Sequence, residues 1–134
     1  MIVDSSAIVA ILRAEPDAGS YAAALAHAER PQMSAANWLE AAVVVDSARD
    51  PVASRRFDKL IEVANIDVFP VTSKQVAVAR QAYRDFGRGS GGAAGLNFGD
   101  CFAYALAAET RQPILFKGDD FVHTDLAAAD RPQG

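Results

Sequence analysis

Residues 1–12 read MIVDSSAIVAIL: an apolar start with two β-branched residues, one acid, two small hydroxyl residues, then an unbroken apolar run. Met1–Val3 has the composition of a short buried strand, and Ser6 through Arg13 that of a buried helix. Asp4 stands between them, at the carboxyl end of the strand. A lone acid there has two readings: it caps the helix, or it is the first member of a site. The rest of the chain decides between them.

Working outward, Glu15-Pro16-Asp17 interrupts the first helix and AGSYAAALAHAE forms a second, stopped near Pro31. Gln32-Met33 is a very short strand. Ser34 caps the helix AANWLEAAVVVDSAR, and Asp50-Pro51 supplies the cap and first position of VASRRFDKLIEVA. IDVFPV returns to strand composition, and Thr72-Ser73 caps KQVAVARQAYRDF. GRGSGGAAG, with five glycines, is expected to be a mobile flap rather than a linker. FGDCFAYALAAE is another helix, PILF a last strand, and KGDDF a turn. Strands alternating with helices in this way predict an α/β fold, a small parallel sheet with helices on both faces. Sites in such sheets form outside the carboxyl ends of the strands, where Asp4 and the pair Asp119-Asp120 are expected to lie.

Composition narrows the function classes. The 134 residues are half apolar and fit one domain spanning 1–134, long enough to bury a core. No apolar run is long enough to cross a membrane and no cleavable leader is apparent, so a cytoplasmic location is expected. The single cysteine, Cys101, excludes an internal disulfide and offers no zinc-ligand spacing with the two histidines. A net charge of −4 does not advertise nucleic-acid binding, but acids gathered in one site would conceal a basic surface elsewhere.

Each carboxylate has an ordinary structural explanation. Asp100 follows Asn97 at capping-box spacing, Glu40 sits on a helix, and Asp119-Asp120 can form a turn. Together they are harder to dismiss. Glu40 shares a helix face with Asn37 beside the apolar residues Trp38, Leu39, Ala42 and Val45, and Asp100 opens a strongly apolar helix. Carboxylates delivered by buried elements to one place resist ionisation unless a cation neutralises them. A hard divalent ion with oxygen ligands, Mg²⁺ or Mn²⁺, meets that need.

These pieces carry a resemblance. MIVDSSAIVAIL, MSAANWLEAAVVV, LNFGDCFAYALA and ILFKGDDFVHTDL, in that order along nearly the whole chain, resemble the PIN-domain ribonucleases, specifically VapC-type toxins of toxin–antitoxin pairs. The resemblance implies a PIN-like three-layer α/β/α sandwich. It implies metal-dependent hydrolysis of RNA phosphodiester bonds, a homodimer, and neutralisation by a VapB-type antitoxin. Asp4, Glu40 and Asp100 correspond to the family's three best-defined acids, with Asp4 and Asp100 as direct metal ligands. Glu40 either ligates a second ion or orients water. A fourth acid belongs to a T-x-D-x-x-F pattern, but the position three before Phe121 is Gly118. Asp119 is preferred for its role, with Asp120 as the alternative. Ser6 and Asn37 are expected to orient carboxylates or water.

Arg80, Arg84 and Arg88 recur every four residues behind Lys74, and Arg49, Arg55, Arg56 and Lys59 form a second basic stretch. They are either solvated faces or grips for RNA phosphates. A phosphatase using Asp4 as nucleophile would want a second aspartate at position 6, where Ser6 stands; a receiver domain would want paired acids that VDSS does not supply. A non-catalytic PIN-like module binding RNA or protein is the alternative from a different class.

Overall fold

The computed structural model describes residues 1–132, so the last two residues of the expected 1–134 domain lie outside it. The order is β1 (Ile2–Val3), α1 (Ser5–Leu12), α2 (Ala18–His27), β2 (Gln32–Ser34), α3 (Ala35–Asp46), α4 (Pro51–Val63), β3 (Asp67–Phe69), α5 (Ser73–Phe86), α6 (Phe98–Thr110), β4 (Ile114–Leu115). The four strands are parallel in the order β3-β2-β1-β4, with Ile2 opposite both Gln32 and Ile114.

Pleating sends successive side chains to opposite faces of the sheet. Val3 and Leu115 pack with Ile8, Leu25, Met33 and Phe57 in a core roofed by α1 to α4. Ile114 joins Leu96, Tyr104 and Phe121 beneath α5 and α6, and Ile2 meets Leu106 of α6. The result is the expected three-layer α/β/α sandwich. β1 has β2 on one side and β4 on the other, so the strand order reverses at its carboxyl end and opens a crevice there.

Caps read from the sequence appear in place. Ser34, Asp50 and Thr72 accept from the backbone amides of Ala36, Val52 and Gln75 at 3.3, 3.0 and 3.1 Å. α3 stops at Asp46 instead of Arg49, because Arg49 turns into the left-handed region (φ 55°) and Asp46 accepts from Ser54 Oγ across the corner to α4. The glycine-rich loop is pinned at both ends: the Arg88 amide donates to Leu96 O and the Leu96 amide to Phe86 O, each at 3.0 Å. Among the described residues no helix is long and apolar enough to cross a membrane.

Candidate active site

Asp4 is both cap and site. Its Oδ2 accepts from the Ser6 amide at 3.0 Å and from Ser6 Oγ at 2.6 Å, which satisfies the start of α1. Its Oδ1 is buried with no hydrogen-bond partner. A carboxylate needs only one oxygen to cap a helix, so the second oxygen is available for something else. Burial, reinforced by the charge of Glu40, pushes the Asp4 carboxyl up to about 6 against the pull of the Ser6 hydrogen bonds. Ser6 in turn accepts from the Lys117 amide at 2.9 Å, which ties the segment after β4 to the end of β1.

Asp100 divides its oxygens in the same way. Asn97 and Asp100 form a reciprocal capping box at the start of α6, with both bonds at 2.9 Å. Asp120 and Asp4 lie near enough for their charges to act on this carboxyl group. Burial comes first in raising its pKa, and Asp120 and the nearby Asp4 raise it further against the Asn97 amide.

Glu40 arrives from α3. Its Oε1 accepts from Ser5 Oγ and, at 3.3 Å, from Asn37 Nδ2. Asn37 is fully buried and also donates to Gly99 O at 2.8 Å, which fastens α3 to the first turn of α6. Gly99 is required by this contact, since a Cβ there would collide with the Glu40 carboxylate. The sequence offered no sign of that role: a glycine early in a helix reads only as a weak helix former.

The two candidates for the fourth acid lie in different places. Asp120 is the one beside Asp100, and it lies 3.6 Å from the Arg88 guanidinium. Asp119 is exposed and lines a different cavity with Asp17, Tyr21 and Lys117. Lys117 does not reach the acids of the crevice; it pairs with Glu15 and, at 2.9 Å, with Asp17. Arg80 and Arg84 are exposed on α5, while Arg88 lies past the helix end, where its Nε donates to Gly95 O at 3.2 Å.

The donor set suits a hard cation. It consists of carboxylate oxygens, one of them a buried orphan, gathered closely enough that Asp4 and Asp120 both disfavour the charge on Asp100. Among the described residues no three such side chains converge into a ready-made cage. Mg²⁺ rarely uses one; it is held by one or two carboxylates, with water and substrate phosphate completing the shell.

The PIN domain model matches residues 1–126. The chain belongs to the PIN-domain family. Among PIN-domain relatives, VapC ribonuclease Mb0625 of Mycobacterium bovis and Ribonuclease VapC28 of Mycobacterium tuberculosis are each 60% identical over 129 residues, covering 96% of this chain and 97% of theirs. Ribonuclease VapC42 of M. tuberculosis is 47% identical over 129 residues, covering 96% of this chain and 98% of its own. The kinship is therefore to the VapC branch of the PIN-domain family. The crystal structure of M. tuberculosis VapC20, described as a Sarcin-Ricin loop cleaving toxin, matches with a TM-score of 0.75 across 98% of each chain. At 16% identity that likeness speaks for the PIN fold alone.

Proposed function

We propose that this PIN-domain chain is a metal-dependent endoribonuclease, the toxin of a toxin–antitoxin pair, held inactive by a VapB-type antitoxin and working as a homodimer. The observation that carries the reading is the buried, unpartnered Oδ1 of Asp4, set beside two other acids in the crevice where the strand order reverses. The relatives named as VapC ribonucleases support RNA as the substrate. A toxin–antitoxin complex from Klebsiella pneumoniae with the same fold (TM-score 0.69, 13% identity, 92% of each chain) is consistent with a protein partner.

Asp4 and Asp100 are the residues that would hold Mg²⁺ or Mn²⁺, with Asp120 replacing Asp119 as the third acid at that point. The cation would supply Lewis-acid stabilisation of charge on the phosphate and activation of water. The chain's own groups do the rest. Ser6 and the Asn97 amide orient the two ligand carboxylates, each through the oxygen already engaged in a cap. Glu40, with Oε1 held by Ser5 and Asn37, has Oε2 left to accept a hydrogen bond from the attacking water and aim it at phosphorus. Water adds to phosphorus as the bond to the leaving ribose oxygen breaks, and the proton released by water ends on that leaving oxygen.

The test is cleavage of RNA by purified, antitoxin-free protein, with EDTA, with Mg²⁺ and with Mn²⁺, in wild type and in Asp4→Asn. Cleavage restored by either ion in wild type and absent from a folded Asp4→Asn is the expected result. An inert wild type would leave a non-catalytic RNA- or protein-binding module.

A further inference from the structure

Phe116 and Lys117 lie between β4 and the turn that carries Asp120, and the start of α2 grips them from two sides. On one side the Lys117 ammonium bonds Glu15 and, at 2.9 Å, Asp17, both in the connection between α1 and α2. On the other side the buried Tyr21 donates its hydroxyl proton to Phe116 O at 3.1 Å. Arg131 closes the circuit. Its guanidinium lies 4.4 Å from the centre of the Tyr21 ring and 3.9 Å from Asp17 Oδ2, and it donates to Ser20 Oγ at 3.1 Å.

What the circuit holds is one backbone amide. The Lys117 N–H donates to Ser6 Oγ at 2.9 Å, and Ser6 Oγ donates to Asp4 Oδ2 at 2.6 Å. The series ends on the carboxylate whose Oδ1 has no partner. A hydroxyl has a single proton, and with the Lys117 amide on its lone pair Ser6 commits that proton to Asp4. Hydrogen bonds in series polarise one another, so the amide strengthens the Ser6 donation. The ladder cannot do this alone: β4 is two residues long, and its pairing with β1 ends where the Asp4 amide donates to Leu115 O. A fully exposed ion pair would add little there. This one is sheltered, with Glu15, Asp17 and Lys117 exposing 29%, 37% and 35% of their side chains.

We propose that Lys117 is a positioning residue for the acidic crevice. Its ammonium, clamped by Glu15 and Asp17, sets its own amide against Ser6, and through Ser6 fixes the direction in which Asp4 presents Oδ1. This role rests on the ribonuclease reading above. Groups that orient a ligand carboxylate set how well it holds a cation, although they never touch the ion. The competing role for Lys117 is a direct grip on an RNA phosphate. Its ammonium is already committed to two carboxylates, and Asp119 lines the same cavity, so an approaching phosphate would meet three like charges there.

The experiment uses the full chain and two readouts, calorimetric Mn²⁺ binding without RNA and steady-state RNA cleavage. Lys117→Met keeps the stem and the amide but removes the ammonium. Glu15→Gln with Asp17→Asn removes the clamp from the other side. Each should weaken Mn²⁺ binding about tenfold or more, the usual effect of losing a group that supports a ligand. Each should lower kcat to a similar degree and hold KM within about twofold, since no contact with RNA is lost. Lys117→Met added to the double variant should change nothing further, because the three groups act as a unit. Lys117→Arg, which keeps the charge, should behave as wild type. Unchanged Mn²⁺ affinity and kcat in Lys117→Met, with a wild type that binds and cleaves, overturn the positioning role and leave the ribonuclease reading. A raised KM at unchanged kcat in Lys117→Met, with the double variant as wild type, overturns it as well, because Lys117 then touches RNA itself. A wild type that binds Mn²⁺, loses that affinity in Lys117→Met and never cleaves sinks the ribonuclease reading and leaves the positioning role standing. A wild type that binds no Mn²⁺ overturns both.

Discussion

Asn37 Nδ2 donates to the Gly99 carbonyl at 2.8 Å, so a buried amide on α3 fixes the distance between Glu40 and the start of α6. The close approach leaves no room for a Cβ at Gly99, and the obstruction is the end of the Glu40 side chain. Gly99→Ala should therefore separate stability from activity. The backbone there is ordinary helix and alanine is the better helix former, so the melting temperature should hold or rise, by up to about 1 kcal/mol in stability. Glu40 must swing away, and RNA cleavage should fall about 10- to 100-fold, the usual effect of losing a supporting interaction in such a site. Thermal melts and single-turnover cleavage on one preparation check both halves.

Asp4 makes a pH prediction. Its carboxyl rises from 3.8 to about 6 on folding, chiefly through burial, so the native state binds more protons than the unfolded chain in that window. Stability of the metal-free protein must then fall as pH climbs from 4 to 6, with a total effect of about 3 kcal/mol. The raised Asp100 extends the decline to higher pH. Asp4→Asn keeps an oxygen for the Ser6 amide but has no charge to bury, so in EDTA at pH 8 it should melt above wild type while cleaving nothing. Melts across pH 4 to 8 in both proteins test this; parallel curves would mean that Asp4 is not held as an uncompensated carboxylate.

Much of this arrangement was legible in the sequence, and the exceptions share a cause. Helix caps are local, so Ser34, Asp50, Thr72 and Asn97 could be read from their neighbours. Asp4 could be placed because a strand end in a parallel sheet is a predictable location. Glu40 and Asp100 followed from a polar residue on an otherwise apolar helix. Asp119 and Asp120 have no such anchor: they lie in an irregular segment after β4, where no period assigns a face. The backbone turns through the left-handed region at Gly118, with φ at 99°, immediately before the two aspartates. Gly99 and the Lys117 pair with Glu15 and Asp17 were unreadable for a related reason, since each depends on a partner distant in the sequence.

That turn gives a prediction of its own. Asp120→Asn should reduce cleavage by about two or more orders of magnitude at fixed Mg²⁺ if it shares the cation with Asp100, beyond the about 10- to 100-fold of a merely supporting group. It should also lower the pKa of Asp100, because the neighbour that raises it loses its charge. Asp119→Asn, altering an exposed residue in a separate cavity, should cleave within about twofold of wild type, as surface substitutions usually do. A reversed ranking of the two variants would restore Asp119 to the site.

The acids also set terms for the antitoxin. Asp4 Oδ1 lacks a partner, and Asp4 and Asp120 disfavour the charged form of Asp100, so any cation that binds only the native protein should stabilise it by mass action. Mg²⁺ or Mn²⁺ is one such cation; a guanidinium reaching into the crevice is another, and its paired donors match a carboxylate better than an ammonium does. If the antitoxin inhibits by placing an arginine there, the ion and the antitoxin compete for the same oxygens. Raising Mg²⁺ from micromolar to millimolar should then weaken antitoxin binding to wild type while each alone raises the melting temperature. In Asp4→Asn the crevice loses a charge that both require, so the antagonism should largely vanish even where binding through other surfaces persists. Calorimetric titration of antitoxin into both proteins at several Mg²⁺ concentrations reads this directly. Affinity indifferent to Mg²⁺ in wild type would place the antitoxin outside the acids and leave inhibition to steric cover of the crevice.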